Sequence, residues 1–167
     1  MVMTLQLVAS LLVCLIASVT DWRTYRIPNW LTFPALGAGL AMGAVGGGQG
    51  FVAALVGTLV CGLVPIALHA AGAMGGGDLK LLMSLGALLG VRLGLTAELY
   101  AFAAASLWGL GSWIVRGQLA SVARRAIALL AGKSLSEAPL IEKTSLRFAP
   151  SVLVGVTGAL IGRMGVA

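Results

Sequence analysis

Six stretches of the chain are almost wholly apolar: Val2–Val19, Trp30–Val45, Gly50–Ala73, Leu79–Val91, Leu95–Val115 and Phe148–Gly162. A helix needs about 20 residues to cross a hydrocarbon core about 30 Å thick. The first, third and fifth stretches meet that length. The second reaches it only with Ile27–Asn29 added, and the fourth and sixth are short. The pattern predicts an all-α fold, a polytopic membrane helix bundle of about six transmembrane helices in a single domain over residues 1–167.

The polar positions orient this bundle. With the N-terminus outside, Arg23, Arg26, Lys80, Arg116, Arg124, Arg125, Lys133, Lys143 and Arg147 fall on one side of the membrane, and only Arg92 and Arg163 on the other. Cytoplasmic loops carry the excess of Lys and Arg, so the first side is expected to be cytoplasmic. The span 116–147 is the one substantial water-facing stretch. In it Leu119, Val122, Ala126, Ile127, Leu129 and Leu130 lean to one face of a helix, with Arg124 and Arg125 opposite. That suits a helix lying in the membrane interface, and equally a solvated helical connector. Glycines four apart, Gly39 and Gly43, Gly86 and Gly90, Gly158 and Gly162, read as faces that let helix backbones approach.

Composition agrees with the pattern and narrows the function classes. Of the 167 residues 59% are hydrophobic and 10% charged, against about 25% charged in soluble domains. The net charge of +6 is spread over the flanks of apolar runs, which suits anionic lipid headgroups and not the continuous basic stripe of a nucleic-acid binder. Cys14 and Cys61 sit inside apolar runs without C-x-x-C spacing, and there is one histidine, His69. No metal site and no cofactor are expected. The first run has no Lys or Arg before it and no clear cleavage site after it, so it reads as a retained helix and not a signal peptide.

Chemistry can rest on few residues. The chain has two aspartates: Asp21 ends the first helix, and Asp78 follows the third. Two crossings separate them, so both belong to the same membrane face. Ionisable groups near membrane depth are costly, which makes them candidates for function. Asp78 to Val91 is 14 residues, roughly 20 Å of helix, so a span starting there draws Asp78 toward the membrane interior. Two carboxylates held close share one proton, because like charges repel. Such a pair can perform general acid–base hydrolysis without a metal or a covalent intermediate. Gly75-Gly76-Gly77, bare of side chains, can take unusual dihedrals and admit an extended substrate strand. The plainer alternatives are that Asp78 is a helix N-cap and Asp21 a juxtamembrane partner of Arg23.

Two segments carry a resemblance. Asp21-Trp22-Arg23-Thr24-Tyr25-Arg26-Ile27-Pro28-Asn29 resembles the first signature of the type IV prepilin (leader) peptidases, and Gly75-Gly76-Gly77-Asp78-Leu79-Lys80-Leu81-Leu82 resembles their G-x-G-D signature. Arg147-Phe148-Ala149-Pro150 is similar to a weaker third feature. The resemblance implies a single transmembrane peptidase domain in the bacterial inner membrane. It further implies an aspartic endopeptidase that removes the short basic leader of prepilin or pseudopilin precursors after a glycine, at the cytoplasmic face, with Asp21 and Asp78 as the catalytic pair. The small size is most similar to the TadV/CpaA type serving Flp (Tad) pili. The chain lacks the two C-x-x-C pairs and any domain for a methyl donor found in larger relatives, so N-methyl transfer is not expected.

Further residues join the candidate site: Gly75, Gly76, Gly77 and Lys80 as substrate-binding or site-shaping, and Pro28 and Asn29 at the entry to the second helix. Lys80 suits either tuning of Asp78 or snorkelling to the interface. His69 suits packing or the positioning of water, Arg23 and Arg26 suit lipid phosphate, and Glu98 falls on the outer side. Two rival functions use the same features: a small transporter or proton-relay subunit, which requires gradient-dependent activity in sealed vesicles, and a non-catalytic assembly scaffold, which tolerates loss of both carboxylates.

Overall fold

The computed structural model describes residues 2–45, 47–115, 117 and 148–165. Every regular element among them is a helix: α1 (Val2–Thr24), α2 (Asn29–Val45), α3 (Gly48–Ala70), α4 (Gly76–Val115) and α5 (Ala149–Gly165). The all-helical expectation holds. Met3–Thr24, Gly50–Ala70 and Gly76–Val115 are long and apolar enough to cross a membrane, and Ala149–Arg163 is a shorter apolar helix.

The fourth and fifth apolar stretches form two helical arms, together the 40-residue α4, that part at Gly90, with φ 72° and ψ 179°, and not at a loop over Arg92–Gly94. A straight helix of that length would be about 60 Å long, twice the hydrocarbon thickness. Gly90 turns the chain back instead. A Cβ on Gly94 would lie 3.3 Å from the Gly86 Cα, whereas eight residues of straight helix would separate them by about 12 Å. The backbone values at Gly90 lie in a region open in practice to glycine alone, so one residue replaces the expected loop.

The other ends use local chemistry. Tyr25 takes φ 55° and returns its N–H to the Asp21 carbonyl at 3.0 Å, while the Thr24 hydroxyl bridges the Thr20 and Arg26 carbonyls. Pro28, which has no N–H to lose, accepts the Leu31 N–H at 3.1 Å and so opens α2. Gly72, at φ 72°, closes α3: the Ala73 N–H reaches the Leu68 carbonyl at 2.8 Å and the Gly72 N–H reaches that of His69 at 2.9 Å. That bond pair is the Schellman arrangement.

Two compact units divide the chain, Met1–Ala104 with Arg147–Ala167, and Ala105–Leu146. In the first, α2 packs on α3, and α1 packs on both α5 and α2. Seams are narrow because small residues line them. A Cβ on Gly86 would meet the Cys61 Cβ at 2.9 Å, and one on Gly39 would meet the Ala87 Cβ at 2.7 Å. Of the glycines expected to pack, Gly39, Gly43 and Gly86 do so closely, Gly158 lies in ordinary contact with the Tyr100 ring, Gly90 makes the turn, and Gly162 faces open space. The buried core combines Cys14 and Ala17 of α1, Leu81, Leu82 and Leu85 of α4, and Val152 and Val156 of α5. Leu5, Val8, Leu12, Leu15 and Val19 of α1 and Leu55, Leu59 and Leu63 of α3 stay exposed. Small residues inside and large apolar ones outside are the distribution that lipid as solvent favours. In the second unit, Leu107, Trp108, Ile114 and Val115 are exposed, and Ser112 Oγ donates to the Gly109 carbonyl at 2.7 Å. The interfacial helix expected at 116–147 falls, apart from Gly117, outside the described residues.

Candidate active site

The C-terminus of α1, the α1–α2 link, the α3–α4 link and the N-terminus of α5 meet at one end of the first unit. Asp21 lies in the last turn of α1 and is 7% exposed. Its Oδ2 accepts the N–H of Ala149 at 3.4 Å. Ala149 is the first residue of α5, whose preceding residue, Phe148, accepts the Ser151 and Val152 N–H groups at 3.0 and 3.2 Å. A helix start leaves its first N–H groups without intrahelical partners and carries the positive end of the helix dipole, so Asp21 occupies a favourable place for a carboxylate. Pro150 fits there because a first-turn residue needs no N–H donor. A second tie holds the two helices, from Ser18 Oγ to the Ala149 carbonyl at 3.1 Å.

Asp78 is the third residue of α4 and half-buried. It is not the N-cap. Gly75 takes that place, its carbonyl receiving the Leu79 N–H at 3.2 Å. The Asp78 carboxylate lies back against that cap, where a Cβ on Gly75 would be 3.1 Å from Oδ2. Asp21 lies within electrostatic reach of Asp78, so both aspartates stand at the same end of the unit.

The flanking residues are tied as well. Lys80 Nζ donates to Asn29 Oδ1 at 2.8 Å and sits 5.0 Å from the centre of the Phe33 ring. Lys80 therefore braces α4 against α2. At Gly77 a Cβ would lie 3.0 Å from the Ile27 Cβ, so the glycine lets the α1–α2 link close onto α4. The positive-φ glycines among the described residues are Gly47, Gly72, Gly90 and Gly117. Gly75, Gly76 and Gly77 thus serve close approach and helix initiation, and not the unusual dihedrals the sequence suggested.

Residues 8–111 match the model of the type IV leader peptidase family, a stretch that holds both aspartates, the glycine run and Lys80. The chain belongs to the type IV leader peptidase family. No curated protein and no solved structure matches it.

His69 is exposed, not packed in the core. Its Nδ1 bonds the Met74 carbonyl at 2.9 Å, and its ring covers Gly76, where a Cβ would lie 3.5 Å from Cε1. Arg23 and Arg26 are exposed at the same end. Glu98 is buried inside the protein: 4% exposed, with neither carboxyl oxygen bonded and Cys61 within its electrostatic reach. The tight turn at Gly90 causes this, because it carries the following residues straight back into the seam with α3.

One contributor escaped the sequence reading, the backbone N–H of Ala149. Main-chain donors leave no residue-type signature. The only hint was a proline just inside a helix start next to the weak third feature. Among the described residues no group of three His, Cys, Asp or Glu side chains could hold a metal ion.

Proposed function

We propose that this leader peptidase is a membrane-embedded aspartic endopeptidase that uses Asp21 and Asp78 to cut the short basic leader of prepilin or pseudopilin precursors after a glycine. In this reading it is of the TadV/CpaA type, a single peptidase domain over residues 1–167 in the bacterial inner membrane. The N-terminus is outside, the two arms of α4 cross separately to make six spans, and the site opens at the cytoplasmic face among anionic headgroups. N-methyl transfer is not part of the activity.

The observation that carries the reading is one pair of carboxyls within electrostatic reach, one of them buried against a helix N-terminus. The chemistry follows from a shared proton. One carboxylate removes a proton from water, and the water oxygen adds to the scissile carbonyl carbon. The protonated partner delivers its proton to the carbonyl oxygen, so the addition product is an uncharged gem-diol. Collapse of the gem-diol breaks the C–N bond, and a carboxyl proton passes to the departing amine. Gly75–Gly77 and the braced Lys80, Pro28 and Asn29 would line the approach of the substrate backbone.

The test is co-expression with a precursor bearing a basic leader that ends in glycine. Asp21→Asn and Asp78→Asn should each insert normally and lower cleavage by at least about 100-fold, the usual contribution of a general acid or base. Wild-type processing by either variant would remove that residue from the mechanism.

A further inference from the structure

We propose that His69 is a positioning residue that sets the Asp78 carboxylate through the Met74–Gly75 peptide group, an inference that rests on the reading of Asp78 as one of the reacting carboxyls. The argument starts from the five residues, Ala71–Gly75, that join α3 to α4. His69 holds both ends of this link. Its carbonyl accepts the Gly72 N–H at 2.9 Å in the helix cap, and its Nδ1 bonds the Met74 carbonyl at 2.9 Å. A carbonyl oxygen has no proton to give, so Nδ1 carries the hydrogen. The same bond stands whether the ring is neutral or charged.

The Met74 carbonyl and the Gly75 N–H belong to one peptide group, which is planar and trans, with C=O and N–H pointing to opposite sides. Fixing the oxygen therefore fixes the direction of the N–H. The Asp78 carboxylate lies against this same glycine: a Cβ at Gly75 would lie 3.1 Å from Asp78 Oδ2, and the Gly75 backbone acts on its charge. The hold therefore passes from His69 Nδ1–H to the Met74 oxygen, and across the amide plane to the backbone against which the carboxylate rests. The His69 ring also covers Gly76, which keeps the link from peeling away from α3.

The role is testable apart from the site assignment. Asn places its Nδ2 where His carries Nδ1 and keeps a donor; Leu has the shape of Asn without one; Phe keeps a ring over Gly76 without one. The full chain in detergent is assayed on a synthetic precursor with a basic leader ending in glycine followed by an apolar helix. His69→Leu and His69→Phe should lower kcat about tenfold, the size of one ordinary hydrogen bond, with KM within about twofold. His69→Asn should recover at least half of the lost rate. The proposal is overturned if His69→Phe or His69→Leu turns over like wild type. It is equally overturned if folded His69→Asn is as slow as His69→Leu, or if the loss appears in KM. Asp78→Asn is run alongside: an active Asp78→Asn removes the site reading itself, whereas an inactive one beside a fully active His69→Phe removes the His69 hold alone.

Discussion

At the scale of residues, each aspartate meets main-chain atoms: Asp21 accepts the N–H of Ala149, and Asp78 lies against Gly75 at the start of its own helix. The acids themselves were legible from their scarcity and from the two signatures that hold them. Their main-chain partners were not, because a main-chain group is the same in every residue and is recruited only by folding. Lys80 shows the same limit. Its residue type allowed tuning, snorkelling or substrate contact, and the bond to Asn29 at 2.8 Å makes it a brace. Removing the brace with Lys80→Met should lower stability in detergent by about 1 kcal/mol, the value of one hydrogen bond with a partly exposed cation–π contact. A double-mutant cycle with Asn29→Ala should show that the two changes are not additive. Additive losses would mean that the pair does not couple.

At the scale of elements, the α4 turn concentrates strain in one residue. Gly90 has φ 72° and ψ 179°, where an L side chain costs about 1–3 kcal/mol, although the space around it is open. Gly90→Ala should therefore lower the unfolding midpoint through backbone strain alone. Gly111→Ala, at another glycine with open space around it but inside a helix, should not lower it. Equal effects would refute the strain account. The turn was half visible beforehand: the two apolar arms stood out, but the connection was expected as a short loop at Arg92–Gly94. Hydropathy marks where a chain is apolar and says nothing of how few residues a reversal requires. The burial of Glu98 was not legible for the same reason, since it depends on how tightly that reversal returns the chain.

At the scale of the whole molecule, the outer faces are apolar and the seams are built from small residues, so association between helices depends on close packing more than on water exclusion. Cys14 and Cys61 are free, buried and 0% and 1% exposed. The native chain should accordingly resist membrane-impermeant maleimide from both sides until it is denatured. That silence makes single introduced cysteines readable. Under the proposed topology Ala73→Cys should label only from the cytoplasmic side and Gly48→Cys only from the outside. Labelling of both from one side would overturn that topology. What the sequence determined unaided is the membrane class, the helical content, the apolar stretches and the two carboxylates with their signatures. Each of these depends on the transfer energy or identity of residues within one segment. Tertiary structure alone decided the Gly90 reversal, the α5 N-terminus on Asp21, the Lys80–Asn29 brace, the His69 hold on the α3–α4 link and the burial of Glu98. Each of those depends on which surfaces, often remote in sequence, come to share a seam.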